Sequence, residues 1–149
     1  MTRQNKLIFK YSALVIWLIV IFMFSNQVAV QSSQLSGGVV DAIKPYLPAI
    51  PEGLLTFLTR KSAHIGLYFV LSLLTYSIAI EYKLRARAQV MYSWLFVISC
   101  ASLDELNQLF SPGRSGEPRD VLIDAVAGLV GIMVYYAFIR DNTRKYTTK

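Results

Sequence analysis

A charged stretch between two apolar runs holds most of the residues in this chain that can do chemistry. It runs from Asp104 to Asp124, reads DELNQLFSPGRSGEPRDVLID, and contains two arginines, Arg114 and Arg119. Its carboxylates are Asp104, Glu105, Glu117, Asp120 and Asp124. Charge beside membrane-length apolar segments is costly and usually has a functional reason. The stretch therefore predicts a site rather than a spacer.

Other polar residues fall on single helix faces, because residues three, four or seven apart share a face. The sets are Lys61, His64 and Tyr68; Asp104 and Gln108; and Asp120 and Asp124. Asp104 and Glu105 are adjacent and so point about 100° apart on a helix. We expect Asp104 to face the site with Gln108, and Glu105 to meet Arg114 or a helix interface.

The residue types leave several chemistries open. His64, the single histidine, can act as a general acid or base near neutral pH, or can simply bond across helices. With Asp104, Asp120 or Asp124 it could transfer protons in a membrane-embedded hydrolase or transferase. Oxygen ligands from Asp104, Asp120 and Asp124, with His64, suit a divalent cation, although no metal motif with fixed local spacing is present. A serine hydrolase is a further alternative, but no nucleophile-elbow sequence supports it. Its candidate nucleophiles are Ser62, Ser102 and Ser111.

Basic residues beside the site also allow two interpretations. Arg60, Lys61, Arg114 and Arg119 can form salt bridges with the local acids. They can instead bind an anionic lipid or a cell-wall precursor headgroup, because guanidinium groups match phosphate and carboxylate oxygens. Because Cys100 is the only cysteine, an intramolecular disulfide is excluded. Its position in an apolar run is typical of a packing residue.

Long apolar runs must position these residues. With 54% hydrophobic and 16% charged residues in 149, the composition indicates one polytopic membrane domain over residues 1–149. We predict an all-α four-helix bundle with spans at about 7–24, 61–81, 88–110 and 120–139. The first run is longer than a signal-peptide core and no clear cleavage site follows it, so we interpret it as a retained span.

The connection between the first two spans contains Pro45, Pro48 and Pro51, which prevent one continuous helix there. We expect an irregular external segment with two short amphipathic pieces, or an ordered loop. Pro51 with Glu52 indicates a helix start that runs unbroken into the second span. Asp120 is a suitable N-cap for the last helix, and Gly128 and Gly131 allow another helix to approach closely.

Basic residues predict the orientation, because cytoplasmic loops carry the excess of Lys and Arg. Twice as many fall on the side of the termini as on the other side, so both termini are expected in the cytoplasm. The first group is Arg3, Lys6, Lys10, Lys83, Arg85, Arg87, Arg140, Arg144, Lys145 and Lys149, and the second is Lys44, Arg60, Lys61, Arg114 and Arg119. The net charge of +6 thus reflects topology, not nucleic-acid binding. We expect the site to face outward, with the polar residues of the second, third and fourth spans at the same depth in the membrane.

The ordered motifs resemble the VanZ-like membrane protein family from about residue 7 to 139. They are FSNQ at 24–27, K-x-x-H-x-x-x-Y at 61–68, DExxQ at 104–108, PGR at 112–114 and D-x-x-x-D-x-x-x-G-x-x-G at 120–131. Where the family pattern commonly has asparagine, this chain has Asp124. The resemblance implies a small multi-span protein of the bacterial cytoplasmic membrane, and associates it with resistance to the glycopeptide teicoplanin. It implies no particular reaction.

Overall fold

Helices make up nearly all of the structure. The computed structural model describes residues 2–26, 29–110 and 116–147, with side chains for 2–26, 34–110 and 116–139. The α-helices in these ranges are α1 Arg3–Ser25, α2 Ala29–Ile43, α3 Glu52–Ala79, α4 Ala86–Gln108 and α5 Pro118–Thr147. Short 3-10 turns follow α2 and α3, and no strand occurs in the described ranges. The predicted all-α fold is confirmed.

Three segments are long and apolar enough to cross a membrane. They are Arg3–Ser25, Glu52–Tyr82 and Pro118–Ile139. At 23 residues, α4 is about 35 Å long and packs against both α3 and α5, but charged residues near both of its ends lower its hydropathy. That α4 forms the remaining span stays a prediction.

The bundle is apolar on its outer surface and partly polar inside. Large exposed side chains cover the outward faces of α1 and α5, whereas Asp104, Glu105, Gln108 and Asp124 are buried. A soluble protein rarely exposes apolar patches of this extent. The exposed side chains on these two helices include Ile8, Phe9, Val15, Ile16, Ile19, Phe22, Leu122, Val126, Val130, Met133 and Phe138. Together these features are those of a membrane protein.

Helix α3 lies at the centre and contacts all four other helices. Its crossing with α5 is close at Gly131, where an added Cβ would lie 2.9 Å from the carbonyl oxygen of Phe69. At Gly128 an added Cβ would lie 2.6 Å from a methyl group of Val97 on α4. The predicted role of these glycines in close helix approach is confirmed.

Polar contacts outside the His64 region also hold the helices together. The indole N–H of Trp17 on α1 donates to the carbonyl of Leu67 on α3 at 2.9 Å. Lys10 forms a salt bridge with Glu81 at 2.6 Å.

We call the end of the bundle that holds Arg3, Lys10 and Arg87 the basic end, and the opposite end, which holds His64, the polar end.

The segment between α1 and α3 is more regular than predicted. Helix α2 continues through Gly37 and Gly38, which have open space around them. The residues between α2 and α3, 44–51, form a short 3-10 turn and an irregular stretch. The second amphipathic piece is not separate: it forms the first turns of α3, which starts at Glu52 and continues to Ala79. This confirms the predicted unbroken helix, and the three prolines end α2 without breaking α3.

The start of α5 also differs from the prediction. The helix begins at Pro118, so Asp120 lies in its first turn and is not the N-cap. Proline is favoured in a helix's first turn because it needs no hydrogen-bond partner for a backbone N–H. Asp120 in the first turn still lies close to the polar end. There its carboxylate offsets the positive end of the helix dipole.

Candidate functional site

His64 on α3 faces two carboxylates from two other helices. Its Nδ1 atom lies 3.6 Å from Oδ2 of Asp124 on α5 and 4.0 Å from Oδ2 of Asp104 on α4. The Asp124 and Asp104 residues are only 1% and 7% exposed, respectively. Both carboxyl groups therefore lie in a poorly solvated interior, and the His64 imidazole is within reach of each of them.

Asp104 is also held by neighbours on its own helix and on α3. The side-chain amide of Gln108 donates to Oδ2 of Asp104 at 3.4 Å, as their shared helix face predicts. Tyr68, one turn below His64, is fully buried, and its hydroxyl donates to the carbonyl of Cys100 at 3.5 Å. Tyr68 therefore closes the bottom of the polar cluster between α3 and α4.

Lys61 and Asp120 form a second layer, one helical turn nearer the polar end. They make a salt bridge between α3 and α5, and about a fifth of each side chain is exposed. The Lys61 ammonium also lies 5.3 Å from the ring centre of Phe57, within the range of a cation–π interaction. This partly hydrated pair covers the more deeply buried His64 cluster.

Glu105 has a different environment from its neighbour Asp104, as their angular separation predicts. Its Oε2 atom accepts the backbone N–H of Glu117 at 2.8 Å. The same turn brings Gly116 so close that an added Cβ would lie 2.7 Å from the carbonyl oxygen of Glu105. Glu105 thus holds the backbone segment before α5 against α4. This contact helps to set the position of Asp120.

Sequence reasoning missed a polar contact between α1 and α4 at this end. The side-chain amide of Asn107 donates to Oγ of Ser25 at 3.1 Å and to Oδ1 of Asn26 at 3.0 Å. The Ser25 hydroxyl in turn donates to the carbonyl of Asp104 at 3.4 Å. Polar residues at the ends of both apolar runs were the available signal, because such groups must find partners where helices meet.

One of the predicted ligand-binding residues lies outside this cluster. Arg119 is exposed in the first turn of α5, and the contacts described above do not include it. Arg114, with Ser111 and the PGR motif, lies outside the described residues. Of the other serines considered as nucleophiles, Ser62 is exposed and lies two residues from His64. That spacing points its side chain to the far side of α3.

The divalent-cation alternative finds no support in the described geometry. Within residues 2–26, 29–110 and 116–147, no group of three or more His, Cys, Asp or Glu side chains is placed to hold a metal ion.

The VanZ/LLP1 family model matches residues 10–140. The chain belongs to this family. No curated protein sequence and no solved structure matches the chain significantly.

Every residue of the polar cluster lies within the stretch that matches the VanZ/LLP1 family. The three sequence motifs that supply it, on α3, α4 and α5, are far apart in the chain and meet at the polar end of the bundle. The family match, the membrane-length helices and this inward-facing cluster together describe a VanZ-like membrane protein with a polar cluster inside the bundle.

Proposed function

We propose that this VanZ/LLP1-family protein binds an envelope lipid or a glycopeptide-related ligand at its polar end. The observation that carries the proposal is the convergence of His64, Asp104 and Asp124 from three helices. The cluster places two buried acids against one histidine. Ionisable groups gathered in a buried interior suit a site that exchanges hydrogen bonds or protons with a ligand.

An apolar groove beside the cluster supports an amphiphilic ligand. It lies between α3 and α5 and has a volume of about 440 Å³. Its lining residues are Ile65, Phe69, Leu122, Ile123, Val126, Ala127 and Val130. Ile65 directly follows His64, and Ile123 directly precedes Asp124, so the groove and the cluster adjoin. An acyl or polyprenyl chain can lie in the groove while its headgroup reaches the polar residues.

The polar groups suit a headgroup that offers both anionic oxygens and hydroxyl or amide groups. Lys61 is paired with Asp120, so a ligand phosphate would compete with that carboxylate for the ammonium. The buried acids accept hydrogen bonds from hydroxyl or amide donors. A cell-wall precursor headgroup has both kinds of group, and an anionic lipid has the first. In this proposal Arg114, Arg119 and Glu105 also contribute to ligand binding.

The proposed location is the bacterial cytoplasmic membrane, with both termini in the cytoplasm and the polar end outward. The excess of basic residues on the side of the termini supports this orientation. The polar end then opens toward the outer leaflet, where lipid-linked wall precursors are exposed to the periplasm or cell surface. The association of VanZ-like proteins with teicoplanin resistance fits this location.

Binding is tested with purified full-length protein and a lipid-linked wall precursor, by native mass spectrometry. We expect His64→Ala and Asp104→Asn each to weaken the affinity about tenfold, which equals a loss of roughly 1.4 kcal/mol in binding free energy. Asp41→Asn, an exposed acid on α2, is the matched control and should bind as the parent does. Full binding by folded His64→Ala and Asp104→Asn proteins would refute the proposal.

A second candidate function is a membrane-embedded hydrolase or transferase. It is favoured by the placement of His64 within 4.0 Å of both aspartates, because flanking carboxylates stabilise an imidazolium formed when histidine takes a proton. In this proposal His64 removes a proton from an attacking water or hydroxyl. His64→Gln keeps a polar side chain but cannot transfer protons, so conversion of a lipid-linked substrate should stop. Unchanged conversion by that variant excludes His64 as the base.

A further inference from the structure

A second groove lies between α4 and α5, at the end of the bundle opposite the polar cluster. It has a volume of about 460 Å³. The side chains that define it are Arg87, Val90 and Trp94 on α4 and Leu129, Met133 and Tyr136 on α5. Arg87 is separated from Asp104 by about 25 Å along α4, so this groove is independent of the proposed site.

The ends of the groove differ in chemistry. Arg87 is exposed and lies one residue inside the start of α4, while Tyr136 is half-buried on the facing helix. Trp94 lies deeper and is held in place by the hydrogen bond from its indole N–H to the carbonyl of Ala125, at 2.9 Å. The groove therefore has a cationic, aromatic mouth at the end of the apolar segment and a fixed apolar floor toward its middle.

Charge at the mouth favours an anion. No acidic residue occurs in the first turn of α4, and its N-cap is Arg85, which makes no side-chain capping bond. Arg87, in this first turn, therefore adds to the positive end of the helix dipole, where a negative group would offset that charge. Basic pockets between membrane helices at the headgroup level suit phosphate headgroups. The apolar side chains of the floor can pack against one acyl chain.

We propose that the groove between α4 and α5 binds an anionic phospholipid from the leaflet at the basic end. Its phosphate pairs with Arg87, and one acyl chain lies against Val90, Trp94 and Met133. The lipid fills the space between two helices that position Asp104 and Asp124, so it would stabilise their packing.

Fluorescence of Trp94 provides a direct test, because the chain contains two tryptophans and Trp17→Phe leaves Trp94 as the only one. Full-length Trp17→Phe protein is placed in phosphatidylcholine bilayers and titrated with phosphatidylglycerol carrying brominated acyl chains. We expect quenching at lower mole fractions of brominated phosphatidylglycerol than of brominated phosphatidylcholine. Arg87→Gln should weaken the preference about fivefold, the effect of about 1 kcal/mol for one charge near a membrane surface.

Two further variants separate a site from general attraction. Arg85→Gln removes the same charge two residues away, outside the groove lining, and should retain most of the preference. Val90→Phe fills the groove without changing charge and should reduce quenching by the bound lipid. Equal losses from Arg85→Gln and Arg87→Gln, or full quenching in the Val90→Phe protein, would overturn the proposal. Native mass spectrometry of retained phosphatidylglycerol gives a second readout if Trp17→Phe does not fold.

Discussion

The Nδ1 atom of His64 lies 3.6 Å from Oδ2 of Asp124, across the interface between α3 and α5. Asp104 approaches the same nitrogen from α4 at 4.0 Å. Three helices therefore each contribute one ionisable group to the same buried cluster. The cluster thus couples charge state to helix packing at the polar end of this VanZ/LLP1-family protein.

This coupling predicts non-additive stability changes. His64→Leu leaves two buried carboxylates without their base and should lower the free energy of unfolding by about 3 kcal/mol. Asp124→Asn removes one charge while keeping the shape, so it should rescue part of that loss. We expect a coupling energy of roughly 1 to 3 kcal/mol, measured by reversible unfolding in SDS. Additive losses in the double variant would show that the two side chains act independently.

Variants of the polar cluster, with His64→Gln among them, also distinguish a packing role from a ligand site. If the polar residues only hold the helices together, loss of activity should follow loss of stability across the series. If they form a site, His64→Gln should reduce binding or turnover by more than its change in unfolding free energy explains. Both quantities should be measured on the same purified protein.

Glycine substitutions should report the helix crossings. Gly131→Ala places a methyl group against the Phe69 carbonyl and the Ser72 hydroxyl, and Gly128→Ala places one against Val97. Each should cost about 1 to 3 kcal/mol of unfolding free energy by overpacking. Gly66→Ala is the matched control, because nothing lies within 4 Å of an added Cβ there. A Gly131→Ala protein as stable as Gly66→Ala would contradict the close crossing of α3 and α5.

Glu105 should control the order of the chain that enters α5. Its carboxylate accepts the backbone N–H of Glu117, so Glu105→Ala should speed hydrogen exchange at that amide. Glu105→Gln retains an acceptor oxygen and should preserve much of the protection. The exchange rate of Glu117, measured by mass spectrometry or NMR, checks this. If the Glu117 amide were as protected in both variants as in the parent protein, another group would have to hold this amide.

Cysteine labelling tests whether α4 crosses the membrane and which way the protein faces. In a Cys100→Ser background, Glu117→Cys and Arg85→Cys place single thiols at exposed positions near opposite ends of the bundle. We expect an impermeant maleimide to label Glu117→Cys in intact cells, and Arg85→Cys only after permeabilisation. Labelling of both from outside would exclude α4 as a span. The reverse pattern would invert the proposed orientation.

The sequence by itself was sufficient to predict the membrane-length helices and the polar stripe on each. Apolar runs of bilayer length and residues at helical spacing are local properties, so Lys61, His64 and Tyr68 could be placed on one face before any contact was known. The close approach at Gly128 and Gly131 was predicted for the same reason, since a missing Cβ leaves space whatever the partner is. The motifs were also sufficient to indicate the VanZ-like family.

Tertiary structure decided how those stripes pair. Lys61 pairs with Asp120 while His64 faces Asp124 and Asp104, and this choice depends on the rotation and depth of each helix, which long-range packing sets. The bond from Glu105 to Glu117, the contacts of Asn107 with α1, and the lateral groove beside His64 have the same origin. Helix periodicity determines which residues share a face, but only packing determines which face each one meets.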